Sequence, residues 1–391
     1  MTAALEAPDP LLAEPPLHPS YEDRPGAPDR WMASLDDGVL EHQVRAWAGA
    51  LLRAGAREAD VLHLNHLTPL NAAAARVAPE VPVVGHLHGT ELLMLEELAP
   101  EHPWRQRLGE WARRCERLIV LSDTQVARAQ ALLDIDPARC ERIANGFDPA
   151  RFDRRPAPDR AAHWRRHLVD EPRGWRPGEG AGSVAYATDE VEEAFAPGNP
   201  VLLYVGRFTA VKRVGLLIEA HQRARARAAR RSPLVILGGF PGEWEGEHPA
   251  ETIERLYARD VFLAGWHSHD ELPSFVNASD AIVLPSVREQ FGQVLVEAMA
   301  CGLPAVAVDA HGPADIVTPG RTGWLVEPDD LAGREAALAE VIGDPAERGR
   351  RGELAHADAL ARYTWPALAR DVAALYRAAA RERPVSLGPT P

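Results

Sequence analysis

The chain alternates short, continuously apolar runs with longer stretches in which apolar residues recur at helical spacing. The segments VLHLNHL (61–67), VPVVGHLHG (81–89), RLIVLS (117–122) and CERIANG (140–146) read as buried strands. A second, cleaner series follows with VLLYVGRF (201–208), LVILGGF (234–240), VFLAGW (261–266), AIVLPS (281–286) and PAVAVDA (304–310). Runs that are continuous rather than alternating suit parallel strands covered by helices on both faces. Helices are predicted over 40–52 and near 213–231, 249–259, 269–277 and 292–301, and beyond GWLVEP (323–328) the chain reads as mostly helical to about residue 382. Two successive βα blocks define an α/β chain with two doubly wound parallel-sheet domains. Ligands are expected outside the carboxyl ends of the strands.

Two stretches break the rhythm. Residues 1–30, rich in Pro, Asp and Glu without an apolar period, read as an irregular or mobile arm. Residues 154–199 carry HWRRH, RGWRPGEGAGS and TDEVEEAF, the composition of a domain boundary or a long surface insertion. The expected organisation is an irregular arm over 1–35, an N-terminal Rossmann-like domain over 36–160 and an insertion or linker over 161–199. A C-terminal Rossmann-like domain over 200–365 follows, then a helix and tail over 366–391 returning towards the N-terminal domain.

Composition narrows the function. A net charge of −14 argues against a general nucleic-acid binder. Cys115, Cys140 and Cys301 form no CxxC pair, so no disulfide or metal framework is expected and a reducing compartment fits. No run of about 18 apolar residues occurs, and the N-terminus is acidic where a signal peptide is basic, so a cytoplasmic protein is expected. Neither GxGxxG nor GxxxxGK[ST] is present, which leaves the dinucleotide fingerprint and the P-loop without support. Among 43 basic residues a single one, Lys212, is lysine. Arginine has taken every other cationic position, so what arginine cannot do at 212 becomes a question.

The most informative stretch is EQFGQVLVEAMACGLPAVAVDAHGPADIV (289–317). It opens a helix near Gly292, where unpaired N–H groups and the positive end of the helix dipole suit an anion. Glu289 and Glu297 flank that point with seven residues between them. In VGRFTAVKRVGLL (205–217), a strand ends at Gly206-Arg207 and Lys212 stands at a helix start. A cation there opposes the dipole unless an anion lies between it and Arg207, and two cations facing a diphosphate stabilise the charge of a departing nucleotide.

With these motifs the chain resembles the retaining glycosyltransferases of family 4, with the GT-B fold of two Rossmann-like domains facing a cleft. The resemblance covers residues 40–382 and is most specific over 281–328. It implies a metal-independent, cofactor-free enzyme, a retaining hexosyltransferase whose donor is a nucleotide diphosphate sugar. It also implies that Glu297 binds the ribose, and that Glu289 contacts the donor sugar at its reacting face. Gly206, Arg207 and Lys212 then hold the diphosphate, helped by backbone N–H groups at Phe291, Gly292, Gln293 and Val294. GHLHGTE (85–91) resembles the family's HGT-D segment, which makes His88 the residue that reaches the transferring sugar. NGFD (145–148) matches its N-G-x-D, which brings in Asn145, itself otherwise only a turn signal. Trp266 either stacks on the nucleobase or packs. The acceptor is left open among saccharides, lipid-linked and small molecules, with peripheral membrane attachment equally open.

Some residues have plainer readings. His63, His66, His86 and His88 lack a carboxylate at ligand spacing, so no metal site is expected. RARARAARR (223–231) reads as a solvated helix end. The sequence also departs from the family. Residues 1–35 hold neither a strand-like run nor a Gly-Gly loop, so roughly two βα units of the N-terminal domain, on the order of 60 residues, are expected to be absent. His311 and Asp315 replace a customary Gly and Glu. The alternative function is a catalytically incomplete, nucleotide-sugar-binding subunit with a regulatory or structural role.

Overall fold

The computed structural model describes residues 9–23, 29–155 and 159–381. Contacts divide the chain into two units. One runs from the N-terminus to Ala144 and includes the chain from Ala369 on; the other is Asn145–Leu368.

In the first unit, β1 (Leu62–Asn65), β2 (Val83–His86), β3 (Arg117–Val120) and β4 (Cys140–Arg142) form a parallel sheet in that order. Side chains set the helix starts between them. Asp36, Thr68 and Ser122 accept hydrogen bonds from the backbone of Val39, Leu70 and Gln125, taking up N–H groups that have no partner in the helix. Leu64, Val83, Leu118 and Val120 join Trp104 and Trp111 in one core. The segment CERIANG departs from the expected buried strand. Glu141 and Arg142 are exposed, because β4 is an edge strand that pairs only with β3. Among the described residues no strand precedes β1, which forms the other edge.

The expected irregular arm over 1–35 is anchored where it is described, residues 1–8 and 24–28 lying outside the described set. Leu11, Tyr21, Met32 and Leu35 are buried in the core. The Tyr21 hydroxyl donates to Leu67 O at 2.8 Å, and the buried Gln43 amide donates to Leu11 O and Leu17 O at 2.6 and 3.0 Å. The anchors are single apolar residues among prolines and acids, so no periodicity announces them. From Ala369 on the chain belongs to this unit, where the Tyr376 hydroxyl bonds His63 Nδ1.

The second unit holds six parallel strands in the order β10-β9-β8-β5-β6-β7. These are β5 (Leu202–Val205), β6 (Leu234–Leu237), β7 (Val261–Gly265), β8 (Ala281–Leu284), β9 (Ala305–Val308) and β10 (Gly323–Val326). β6 to β9 are buried along their whole length, as two-sided coverage requires. The strand order reverses between β5 and β8, which pair through Leu202↔Ala281 and Leu203↔Ile282. Such a reversal opens a crevice at the carboxyl edge. Beside it the ends of β5 and β6 close together: Gly238 has φ 122, and a Cβ there would stand 2.2 Å from Gly206 O.

The segment 161–199, expected as an insertion or linker, belongs to this unit. Trp164, Leu168, Trp175, Val191 and Phe195 are all buried. Trp164 Nε1 donates to Ala278 O at 3.2 Å, and Trp175 Nε1 donates to Gly239 O at 3.0 Å. Charged and glycine-rich neighbours concealed these apolar anchors. Trp175→Ala is therefore expected to destabilise the fold by about 3–5 kcal/mol. A denaturant midpoint equal to the wild type's would show that the segment lies outside the core.

Candidate functional site

The loops after β5 and β8 run side by side, joined by Val287 N donating to Val211 O at 3.0 Å. Lys212 ends a 3-10 turn, Ala210–Lys212, and Arg213 at φ 52 turns the chain into the helix Val214–Ala228. Lys212 has a side-chain partner. Its Nζ lies 2.5 Å from Glu289 Oε2, both side chains being mostly buried. Glu289 is held in turn through its backbone, which accepts from Gly312 N at 3.1 Å. The preceding residue, His311, has φ 52, the left-handed geometry that explains the family's usual glycine.

Gly292, at φ 97, caps the helix Gln293–Ala300, whose first N–H groups have no partner within the helix. Phe291 and Gly292 are buried, while Gln293 and Val294 are half-buried. Glu297 is 3% exposed. Its Oε1 accepts from Gln293 Nε2 at 3.1 Å and from His269 Nε2 at 2.9 Å. The Gln293 amide also donates to Gly146 O at 2.9 Å. Burial pushes the Glu297 carboxyl above its ordinary pKa, against the hydrogen bonds from His269 and Gln293.

Gly206, Arg207, Gly238, Phe240, Trp266 and His269 line a cavity of about 450 Å³. Phe240 and Trp266 are 53% and 50% exposed, with ring centroids 6.2 Å apart at 78°, so Trp266 is not a packed core residue. The Arg207 guanidinium carries no hydrogen bond or ion pair to another described residue. A neighbouring cavity of about 340 Å³ is lined by Asn145, Gly146, Gln293, Glu297, Trp365 and again His269. A larger one, about 900 Å³, is lined by Asp148 of NGFD with Arg151, His163 and His167.

His88 belongs to the first unit, just beyond β2. Its ring lies 4.2 Å from that of His86 and 4.4 Å from that of His66, and Nε2 donates to Asn65 Oδ1 at 3.0 Å. Burial pushes His86 down to about 3 and His88 down to about 4, and the neighbouring histidines add to both shifts. His88 is thus neutral near pH 7. Behind it, the fully buried Glu91 lies 3.3 Å from His66 Nδ1. Burial alone would raise that carboxyl, but the hydrogen bond to His66 and its charge outweigh it and hold the pKa below its ordinary value.

The structure thus brings together Lys212 with Glu289, Glu297 with Gln293, and Gly206 with Arg207 and Trp266. Sequence reasoning missed His269, Arg151, Phe240, Asn65 and Glu91. Only Glu91 carried a signal, as the acid closing HGTE.

A sheet reversal with an unpaired arginine and an aromatic pair near its carboxyl edge marks the ligand side of a doubly wound α/β protein. The profile described as Glycosyl transferases group 1 matches residues 187–357, and that described as Glycosyltransferase Family 4 matches residues 11–151. The D-inositol 3-phosphate glycosyltransferase of Stackebrandtia nassauensis is 30% identical over 381 residues, covering 90% of this chain and 76% of its own. The glycogen synthase of Mycobacterium tuberculosis is 35% identical over 185 residues, 47% of this chain and 44% of its own. Among solved structures, Anabaena HepE in complex with UDP and glucose matches with a TM-score of 0.66 at 21% identity, covering 85% of this chain and 82% of its own. The chain belongs to glycosyltransferase family 4 and is a glycosyltransferase with the GT-B fold.

No described helix is long and apolar enough to cross a membrane. One consequence of the site concerns pH. A carboxyl raised by burial stabilises the fold fully below its unfolded pKa, and that contribution is lost as pH rises through the folded value. Glu297→Gln removes the ionisation cost and keeps an oxygen for His269 and Gln293. Its melting temperature relative to wild type is therefore expected to be higher at pH 8 than at pH 4. A difference independent of pH would contradict the burial argument.

Proposed function

We propose that the chain transfers a hexosyl group from a nucleotide diphosphate sugar with retention of configuration. The observation that carries this is the 450 Å³ cavity at the carboxyl ends of β5, β6 and β7, which joins the unpaired Arg207 to the Phe240–Trp266 pair. A base against the aromatic pair leaves the ribose for Glu297, reached past His269. The diphosphate then falls to Arg207, Lys212 and the first amides of Gln293–Ala300. These charges and dipoles stabilise the departing diphosphate without a metal. Glu289, held by Lys212, faces the donor sugar. His88, neutral and with its Nε2 hydrogen given to Asn65, offers Nδ1 as an acceptor for a sugar hydroxyl. The UDP and glucose named in the HepE complex support such a donor. The acceptor is a saccharide, a lipid-linked sugar or a small polyol.

A thermal-shift panel of UDP, GDP, ADP and TDP tests the reading, since a ligand that binds only the folded state stabilises it by RT ln(1 + [L]/Kd). At least one nucleotide is expected to raise the melting temperature, and none doing so would overturn the proposal. His88→Ala should leave nucleotide affinity intact and abolish turnover; nucleotide binding without turnover in the wild type would instead mark an inactive subunit. Lys212→Arg, though it keeps the charge, is expected to be damaging. A planar fork replaces a compact ammonium in a mostly buried pair. Nucleotide affinity and turnover at wild-type levels in this variant would make the lone lysine an accident of composition.

A further inference from the structure

His269 stands where the two smaller cavities meet, and neither the sequence motifs nor the family matches point to it. Its ring makes two hydrogen bonds, one at each nitrogen. Arg151 Nη1 lies 3.0 Å from Nδ1, and Glu297 Oε1 lies 2.9 Å from Nε2. A guanidinium only donates, so Nδ1 must accept and the ring's one hydrogen must sit on Nε2. That hydrogen points at Glu297. Arg151 is itself fixed by Asp270, 2.7 Å away, and Phe152 packs against the ring with centroids 5.2 Å apart. Asp270, Arg151, His269 and Glu297 thus form one directional chain. Gln293 reaches the same Glu297 oxygen from the other side. With two donors converging on Oε1, Oε2 is the oxygen presented to a ligand.

We propose that His269 is a positioning residue of the nucleotide site: Arg151 fixes its tautomer, and its Nε2 hydrogen orients the Glu297 carboxylate towards the ribose diol. The inference rests on the donor reading given above. It deepens that reading by naming a residue that acts through Glu297 and not on the ligand. His269 is otherwise an unremarked polar side chain in the loop after β7. Its ring is half exposed, so a direct contact with the ligand is the rival that the test must separate.

Calorimetry on the full chain, with the nucleoside diphosphate that most stabilises it, provides the test. His269→Asn keeps polarity but falls short of Glu297, and is expected to weaken binding roughly tenfold, as loss of a hydrogen bond to a charged group does. His269→Gln carries an N–H to similar reach and is expected to recover binding to within about threefold of wild type. In a Glu297→Gln background, His269→Asn should add less than about twofold, because its effect passes through the carboxylate. Equal losses in both backgrounds would mean that His269 touches the nucleotide directly, and would overturn the positioning role. Wild-type affinity in His269→Asn, or equal affinity of the Asn and Gln variants, would overturn it too. If the wild-type chain binds no nucleoside diphosphate, this inference falls together with the proposed function; if it binds and Glu297→Gln alone weakens it, only the role of His269 falls.

Discussion

In the second unit β5 pairs with β8, although 75 residues of chain separate Val205 from Ala281. After β5 the connections lead to β6 and β7, and after β8 they lead the other way, to β9 and β10. The two loops must therefore part at the carboxyl edge, and side chains from both face the gap between them. This is why Lys212 and Glu289 meet. The helix Val214–Ala228 packs on Leu331–Gly343, while Gln293–Ala300 packs on Pro345–Arg362. The backbone bond from Val287 to Val211 and the Lys212–Glu289 pair join the loops directly.

That arrangement would be wasted if Glu297 could rotate away. The helix Gln293–Ala300 is otherwise an apolar element, with Leu295, Val296, Ala298, Met299 and Ala300 buried. A carboxylate placed in it is costly unless donors reach it. Gln293, one turn earlier, supplies one donor and is tied to Gly146; His269 supplies the other. The cost of burial and the restriction in orientation thus have one cause. A group that must find its donors inside the protein has few directions left for its remaining oxygen.

Much of this was legible in the residues themselves. Parallel strands buried on both faces leave unbroken apolar runs, so every strand but β10, in GWLVEP, was located by pattern alone. The polar β4 was misjudged as buried because Ile143 and Ala144, the apolar residues of CERIANG, lie just past the paired residues. The helix start at Gly292 was legible because a glycine there, flanked by acids, is a local pattern. The anchors in 9–35 and 161–199 were not, since Leu11, Met32, Trp164 and Trp175 lie singly among charged, proline and glycine neighbours. The Arg151–His269–Glu297 chain was beyond reach for a different reason: its members are 118 and 28 residues apart, and their meaning lies in which nitrogen faces which oxygen.

The treatment of charge carries the synthesis one step further. Acids outnumber bases in this chain, 57 to 43, so an exposed arginine has carboxylates to spare. Arg213 takes both oxygens of Asp329, and Arg231 shares Asp260 with Arg225. Arg207, at the end of the central strand β5, takes none. Glu289 is bound to Lys212, whose compact ammonium fits a mostly buried contact, and that pairing fixes the carboxylate against Lys212. Arg207 thus stays an exposed cation at the carboxyl edge of the sheet in an otherwise acidic chain, a local positive site set against the field of the whole protein.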